Sequence, residues 1–564
     1  MMDAKDATEE ILTTIANPYE EKSQEMTVAS TALPTGQVES HDRSKTRITV
    51  IMAALCLSAF LTVLDFMIMT TAIPTISEHF NSSAGYTWVG SAYLLANAAS
   101  TPTWGKLSDI WGRKSIILVA TAVFFIGSLI CGISTSILML VSGRAVQGAG
   151  GGGLIILVNI CISDLFSVRN RAAYFGLIAI VWAVAGAIGP LLGGLFTQLL
   201  SWRWCFYINL PCSALSFFVI LFSLDLKVPE TPLVAGLKAI DWLGGITITG
   251  ATLMLLLSLE FGGVIFPWTS PKVICVITFG LVTGALFFLN EAKLARYPIM
   301  PLRLFKHRSN IAALLVCFVH GFTYISGSYY LPLYFQAVHG ASPVRSGIYL
   351  LPYAVVLSLT SACTGIFIRK TGRYLEPIWF GTILMTLGFG LFIDLDVNTT
   401  WVKIVLFQIV AGLGVGPNFQ APLIALQTLV SAKDNASGTS AFIFTRNLAS
   451  SISVVLGGVV FQNCMELRSA QLSKELGPGI AAQLSGRHAA SNAMVVQSLE
   501  LAQRDVARTA FSESLGMLWV LYASVAVVGM VASGFISRQT LCKEHEEPVT
   551  GLEYEEAKRE GFAE

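Results

Sequence analysis

The chain is 564 residues long, 54% hydrophobic and only 13% charged, with a formal net charge of +1. Soluble globular proteins carry about 25% charged residues, and nucleic-acid binders carry a basic excess, so both classes are excluded. Charges clustered between long apolar runs leave a polytopic membrane protein, and most of the ten cysteines sit inside those runs with no CxxC spacing, as small buried hydrophobes.

Residues 1–47 are polar, mixed in charge and without an apolar core, which makes them a disordered cytoplasmic tail rather than a signal peptide. With about 20 apolar residues needed to cross a bilayer, spans are predicted over 48–73, 86–106, 115–135, 137–162, 173–200, 204–225, 240–261, 271–291, 311–337, 344–369, 377–394, 401–427, 436–462 and 515–537. That is fourteen. The expected fold is all-α and polytopic: an N-terminal six-helix bundle at 48–225, a two-helix insert with cytoplasmic linkers at 226–310, and a C-terminal six-helix bundle at 311–537. The last bundle carries an extracellular loop at 463–514, with no task that its composition assigns, and residues 538–564 form an acidic cytoplasmic tail.

Cations gather on alternate loops (Lys106/Arg113/Lys114, Arg169/Arg171, Lys227/Lys238, Lys293 to Arg308, Arg369/Lys370/Arg373 and Lys433), with Arg203 and Arg345 as exceptions. Positive loops face the cytoplasm, so an even number of spans places both termini there. Asn81 and Asn398 head N-x-S/T sequons in the opposite loops and are candidate glycosylation sites.

The stretch Gly105 to Lys114, GKLSDIWGRK, lies between the second and third spans. Its glycines, Gly105 and Gly112, allow a tight turn, and Asp109 stands one helical turn from Arg113. Lys114 adds a further cation at the membrane surface. Residues 365–373 repeat this stretch at an offset of 260 with Arg369 in place of the acid, and Gly412/Gly414/Gly416 repeat Gly148/Gly150/Gly152 with Gln408 in place of Arg144. Two parallel halves are one architecture of secondary transporters. The first half keeps its charges, so the ion chemistry is expected there.

Asp65 is a lone carboxylate in the first span, where a charged side chain costs about 2.5–3.5 kcal/mol and faces a partner or a cavity. Desolvation disfavours a charged carboxylate, which makes Asp65 a candidate proton carrier. Counting about 1.5 Å per residue from the span ends puts Arg144 of the fourth span at nearly the same depth, as its candidate partner. In the fifth span Ala185/Gly189/Gly193 and Gly186/Pro190/Gly194 form two adjacent ridges that let another helix approach closely, and Pro190 permits a kink.

GKLSDIWGRK, the Arg144/Gln147/Gly148 run, the Asp65 run and AGAIGPLLGG together resemble the major facilitator superfamily, and with fourteen spans the chain is similar to its drug:proton antiporter family. The segments 202–211 and 241–245 strengthen the likeness, and the acidic tail and sequons suggest a fungal-type pump. The resemblance covers residues 48–537. It implies proton-driven export, with Asp65 and Arg144 coupling the proton, Asp109, Arg113 and Lys114 in a gating loop, and Gly186 to Gly194 matching the element tied to antiporters. The gating role is not carried to the second copy, where Arg369 replaces the acid.

Asn97, Gln147, Tyr324 and Gln420 are candidates to line a central cavity, and His320 could titrate near neutral pH. The expected protein is no enzyme: a proton-coupled exporter of lipophilic drugs, toxins or secondary metabolites, driven by a proton gradient without cofactor or metal. It would work as a monomer in the plasma membrane, with the vacuolar membrane open as a second site. A carrier for a siderophore or basic amino acid, and a non-transporting sensor, remain as alternatives. An ATP-driven pump is excluded, because no GxxxxGK[ST] occurs.

Overall fold

In hydrocarbon every backbone N–H and C=O must be bonded within the protein, and the long apolar runs answer this by forming helices. The computed structural model describes residues 45–80, 83–224, 231–262, 266–431, 434–490 and 492–541, so the Asn81 sequon and both predicted tails, apart from their membrane-proximal ends, lie outside the described residues. In chain order the long helices are α1 (Lys45–His79), α2 (Ser83–Trp111), α3 (Arg113–Gly132), α4 (Ile137–Leu165), α5 (Val168–Leu199), α6 (Asn209–Ser223) and α7 (Trp242–Phe261). They continue as α8 (Pro271–Lys293), α9 (Arg308–Ala337), α10 (Leu351–Thr371), α11 (Leu375–Leu391), α12 (Trp401–Val415), α13 (Asn435–Leu467) and α14 (Leu501–Ser533). Among the described residues there is no strand, only an isolated bridge between Gly262 and Phe266.

Among the described residues, thirteen helical segments are long and apolar enough to cross a membrane, against the fourteen expected. The segment that falls short is α2, predicted as 86–106. At 29 residues it is long enough, but Ser, Thr, Gly, Asn and Tyr dilute its apolar content.

Helix ends differ from the predicted spans where polar residues prolong a helix beyond its apolar run. The predicted span 515–537 begins at Leu501, because the polar turn through Gln503, Arg504 and Asp505 is already helical. The loop expected at 463–514 is therefore much shorter, and holds the small helices Ser469–Leu476 and Pro478–Leu484. Prolines account for a break inside another span. After Val415 the chain tightens into the 3-10 turn Gly416–Phe419 and restarts as Ala421–Gln427, with Pro417 and Pro422 each lacking the N–H that a continuous helix needs.

Glycines set how closely helices approach. A Cβ on Gly148 of α4 would strike the Tyr93 backbone of α2, and one on Gly150 would strike the Phe124 backbone of α3. The glycine run therefore puts α4 backbone to backbone between its two neighbours. Gly412 and Gly414 of α12 meet the backbones of Tyr353 on α10 and Met385 on α11 in the same manner. The repeat read from the sequence is thus a repeat of packing.

These contacts predict that Gly148→Ala lowers stability by about 1–3 kcal/mol, the usual cost of overpacking. Gly390→Ala, with open space around the new methyl, should be neutral or slightly stabilising. Thermal unfolding of both variants in detergent, followed by size-exclusion fluorescence, checks the order.

Candidate functional site

All the contacts below lie within one compact unit that begins at Thr46. Five helices converge on Asp65. Its Oδ2 accepts from Arg144 Nη1 of α4 at 2.6 Å, and neither side chain is exposed. Its Oδ1 accepts from Gln147 Nε2 at 2.8 Å and from Asn209 Nδ2 of α6 at 2.7 Å. Arg144 also donates through Nε to the Val89 carbonyl of α2 at 3.0 Å and through Nη1 to Gln147 Oε1 at 2.7 Å. Gln147 donates on to Ser128 of α3 at 2.8 Å. The guanidinium lies 4.4 Å above the Tyr93 ring of α2, a cation–π contact in a dry setting. The depth count from the sequence is borne out, since the two charges meet. Every contact to Asp65 comes from a donor, so the geometry is that of the carboxylate.

The predicted gating stretch is not an exposed loop. α2 runs through Trp111 and α3 begins at Arg113, separated only by Gly112 at φ 81°, a left-handed conformation that glycine tolerates. Lys106, Asp109 and Arg113 are each only 5% exposed, whereas Lys114 is half-buried. Arg113 bonds Asp109 Oδ1 at 2.6 Å, Ser108 Oγ at 2.7 Å and, through Nε, Asp164 Oδ2 of α4 at 2.6 Å. Gly105 lies against Ser440 of α13, so this corner touches the later helices directly.

Further contacts join helices α1–α6 to helices α9–α14 at the same cation-rich face. Arg169 at the start of α5 donates to the carbonyls of Arg369 and Lys370 at 2.7 and 2.5 Å, the carboxyl end of α10. Gln427 accepts from Arg171 at 3.2 Å and donates to Ser163 at 2.9 Å and Thr439 at 3.0 Å. Gly365 approaches the Ala172 backbone and Gly176 that of Ala362. The cation-rich face is closed between the two sets of helices.

Only one of the two ridges of α5 is packed. Cβ atoms on Gly189 and Gly193 would meet Met67 and the Ile68 carbonyl of α1, whereas Gly186 and Gly194 have nothing within 4 Å. The cavity candidates also divide. Gln147 is buried in the Asp65 cluster, and Gln420 is buried with its amide 3.4 Å from the Phe175 carbonyl. Asn97 accepts from Asn447 of α13 at 3.2 Å, and Tyr324 lies 5.0 Å from the Phe419 ring at the edge. Asn398 is exposed in the turn before α12.

Sequence reading overlooked four polar groups. Asn209 and Asp164 sit near the ends of apolar runs, and Ser128 is one serine among many, so only the motif around Tyr207 to Pro211 gave a hint. Arg446 lies inside a predicted span, a signal as plain as Asp65, and gives the later helices a charge at membrane depth outside the two repeated motifs. Its Nη2 donates to the Phe419 carbonyl at 2.5 Å, and its guanidinium lies 5.0 Å from the rings of both Phe419 and Phe442.

A helical membrane protein with buried charges at mid-depth and two sets of helices meeting at one face is the architecture of a secondary transporter. The chain belongs to the Major Facilitator Superfamily, whose family model matches residues 55–454. It is 51% identical over 506 residues to a protein named efflux pump dotC of Dothistroma septosporum, covering 90% of this chain and 87% of the relative. It is 49% identical over 521 residues to an MFS-type transporter, ppz2, of Metarhizium majus, covering 92% and 90%. The human organic anion transporter MFSD10 shares the fold at a TM-score of 0.56 and 13% identity, over 86% of this chain and 99% of that one.

The Asp65 cluster makes a stability prediction. Removing one partner of a buried ion pair costs about 3–5 kcal/mol, so Asp65→Asn and Arg144→Gln should each lower the melting temperature sharply. The double variant should lose less than the sum. A double-mutant cycle by thermal unfolding checks it; additive losses would mean that the two charges do not stabilise one another.

Proposed function

We propose that the protein is a proton-coupled secondary transporter that exports lipophilic small molecules by alternating access, with the cation-rich face and both termini in the cytoplasm. The observation that carries this reading is Asp65. It is a carboxylate without solvent, held by Arg144, Gln147 and Asn209, in a chain half identical to a protein named an efflux pump. Helices 48–225 act as one bundle and 311–537 as the other, with α7 and α8 inserted between them in sequence.

In the cycle, a proton reaching Asp65 from the far face cancels the charge that holds Arg144. The guanidinium then shifts on its Tyr93 platform. Tyr93 lies one turn from Asn97, whose bond to Asn447 ties the two bundles together, so rearrangement at Asp65 is passed to the bundle interface. On the cytoplasmic face Arg113 with Asp109 and Asp164 keeps α2, α3 and α4 in register, and Arg169 holds α5 against α10. Opening this face requires the Arg169 contacts to break. The open ridge at Gly186 and Gly194 leaves α5 room to move against the second bundle. Release of the proton to the cytoplasm restores the Asp65–Arg144 pair.

Two measurements test this. Inside-out vesicles with an imposed proton gradient should accumulate lipophilic compounds, and Asp65→Asn should abolish the gradient-dependent part. Uptake in the opposite direction would favour the narrow-substrate carrier, and pH coupling that survives in Asp65→Asn would remove Asp65 from the proton path. For the gate, Arg169→Gln should raise labelling of a cysteine placed at Ala362 by an impermeant maleimide applied from the cation-rich side, several-fold over the same cysteine with Arg169 present. Unchanged labelling would show that Arg169 does not hold this face shut.

A further inference from the structure

Arg446 is a cation in the middle of the membrane for which the described residues supply no counter-charge. It stands eleven residues into α13, about 16 Å from the helix start at 1.5 Å per residue, too deep for its side chain to reach water at the interface. The buried acids of the first set of helices each have a cationic partner, Asp65 with Arg144 and Asp109 and Asp164 with Arg113. Among the described residues, the acids that pair on the later helices sit near the membrane faces, at Glu376, Asp394, Asp434, Asp505 and Glu513. Among the described residues, no carboxylate lies within ion-pair distance of Arg446.

The surroundings of Arg446 are aromatic. Its guanidinium lies between Phe419 and Phe442 at 5.0 Å from each ring. His320 of α9 packs edge-on against the same Phe419 at 4.7 Å, and Tyr324, one turn further, does so at 5.0 Å. Buried donors and acceptors here lack partners: Arg446 Nε, and both ring nitrogens of His320. A buried polar group left unbonded is costly, and a buried unpaired charge far more so. The neighbouring residue, Asn447, makes the Asn97 bond between the two sets of helices. The cluster therefore sits beside a contact between the two sets of helices.

We infer that Arg446, with Phe419, Tyr324 and His320, forms the substrate site, and that the substrate class is a flat aromatic anion, an arene carboxylate or phenolate. The anion supplies the counter-charge that the described residues do not, with Arg446 Nε and a ring nitrogen of His320 as donors. The Phe419 and Tyr324 rings contact its apolar body. This deepens the export reading and rests on it for the direction of movement, not for the binding chemistry.

The test uses purified full-length protein in nanodiscs of zwitterionic lipid at neutral pH, without a gradient. Three probes of one shape differ in charge: 2-naphthoate, 2-naphthamide and 2-naphthylmethylammonium. The expected result is about tenfold or greater preference for 2-naphthoate over 2-naphthamide, with the ammonium weakest. Arg446→Gln should erase the gap and Arg446→Lys should keep part of it. Where Arg446→Gln does not fold, protection of a cysteine placed at Asn447 by 2-naphthoate and not by 2-naphthamide reads the same preference. Binding that ignores charge, favours the ammonium, is absent for all three, or keeps its preference in Arg446→Gln overturns the inference. Lost charge preference with gradient-driven accumulation of neutral compounds intact would sink this inference alone; charge preference without such accumulation would sink the export reading alone.

Discussion

A carboxylate and a guanidinium removed from water at the middle of a bilayer must be held by other polar groups, and Asp65 and Arg144 set that requirement for the whole early part of the chain. Each ion taken from water costs several kcal/mol, and the attraction between them offsets this only when the remaining lone pairs and protons are also bonded. Gln147, Asn209, Ser128 and the Val89 carbonyl supply most of these partners, leaving Arg144 Nη2 against the aromatic rings without one among the described residues. These groups come from different helices, so α1, α2, α3, α4 and α6 are fixed in rotation and depth by a single cluster. The glycines of α4 follow from the same requirement, because only a helix without side chains on that face can bring Arg144 so close to the backbone of α2.

The later helices use the same packing device without the same chemistry. Gly412 and Gly414 give α12 a seam like that of α4, while Gln408 occupies the place of Arg144 and its amide stays buried. The cation of these helices has moved to Arg446 on a different helix, among aromatic rings. Structural repetition and chemical divergence thus separate cleanly: backbone approach is shared, and charge placement is not.

Much of this was legible in the sequence, because hydrocarbon permits few backbone solutions and the apolar runs become helical, the run 401–427 with a break at its prolines. Asp65 and Arg144 were paired by counting residues from the span ends, which works because helix rise is constant. What was hidden depended on rotation about the helix axis, to which hydropathy is blind. Asn209 faces Asp65 and Asp164 faces Arg113 only once neighbouring helices are placed. That a polar helix beginning at Leu501 runs on unbroken into the last span was hidden for another reason: outside the hydrocarbon, polar residues continue a helix as well as apolar ones, so α14 starts well before its apolar run. The burial of Lys106, Asp109 and Arg113 was also out of reach, since a charge at a membrane surface reads as solvated until the packed helices beneath it are known.

The contact between Arg169 and α10 ends on peptide carbonyls, at the carboxyl terminus of a helix where the backbone dipole already favours a cation. A peptide carbonyl is present whatever side chain it carries. Substitution at positions 369 and 370 therefore leaves the acceptors in place, and the chain is free to drift there. Gly372, which ends the helix at φ 73° and leaves those carbonyls exposed, is not free in this way. The second copy of the motif has lost its acid where the first has kept Asp109, and this difference in what each latch recognises, a side chain in one half and a backbone in the other, is a physical route by which twin sequences become unequal.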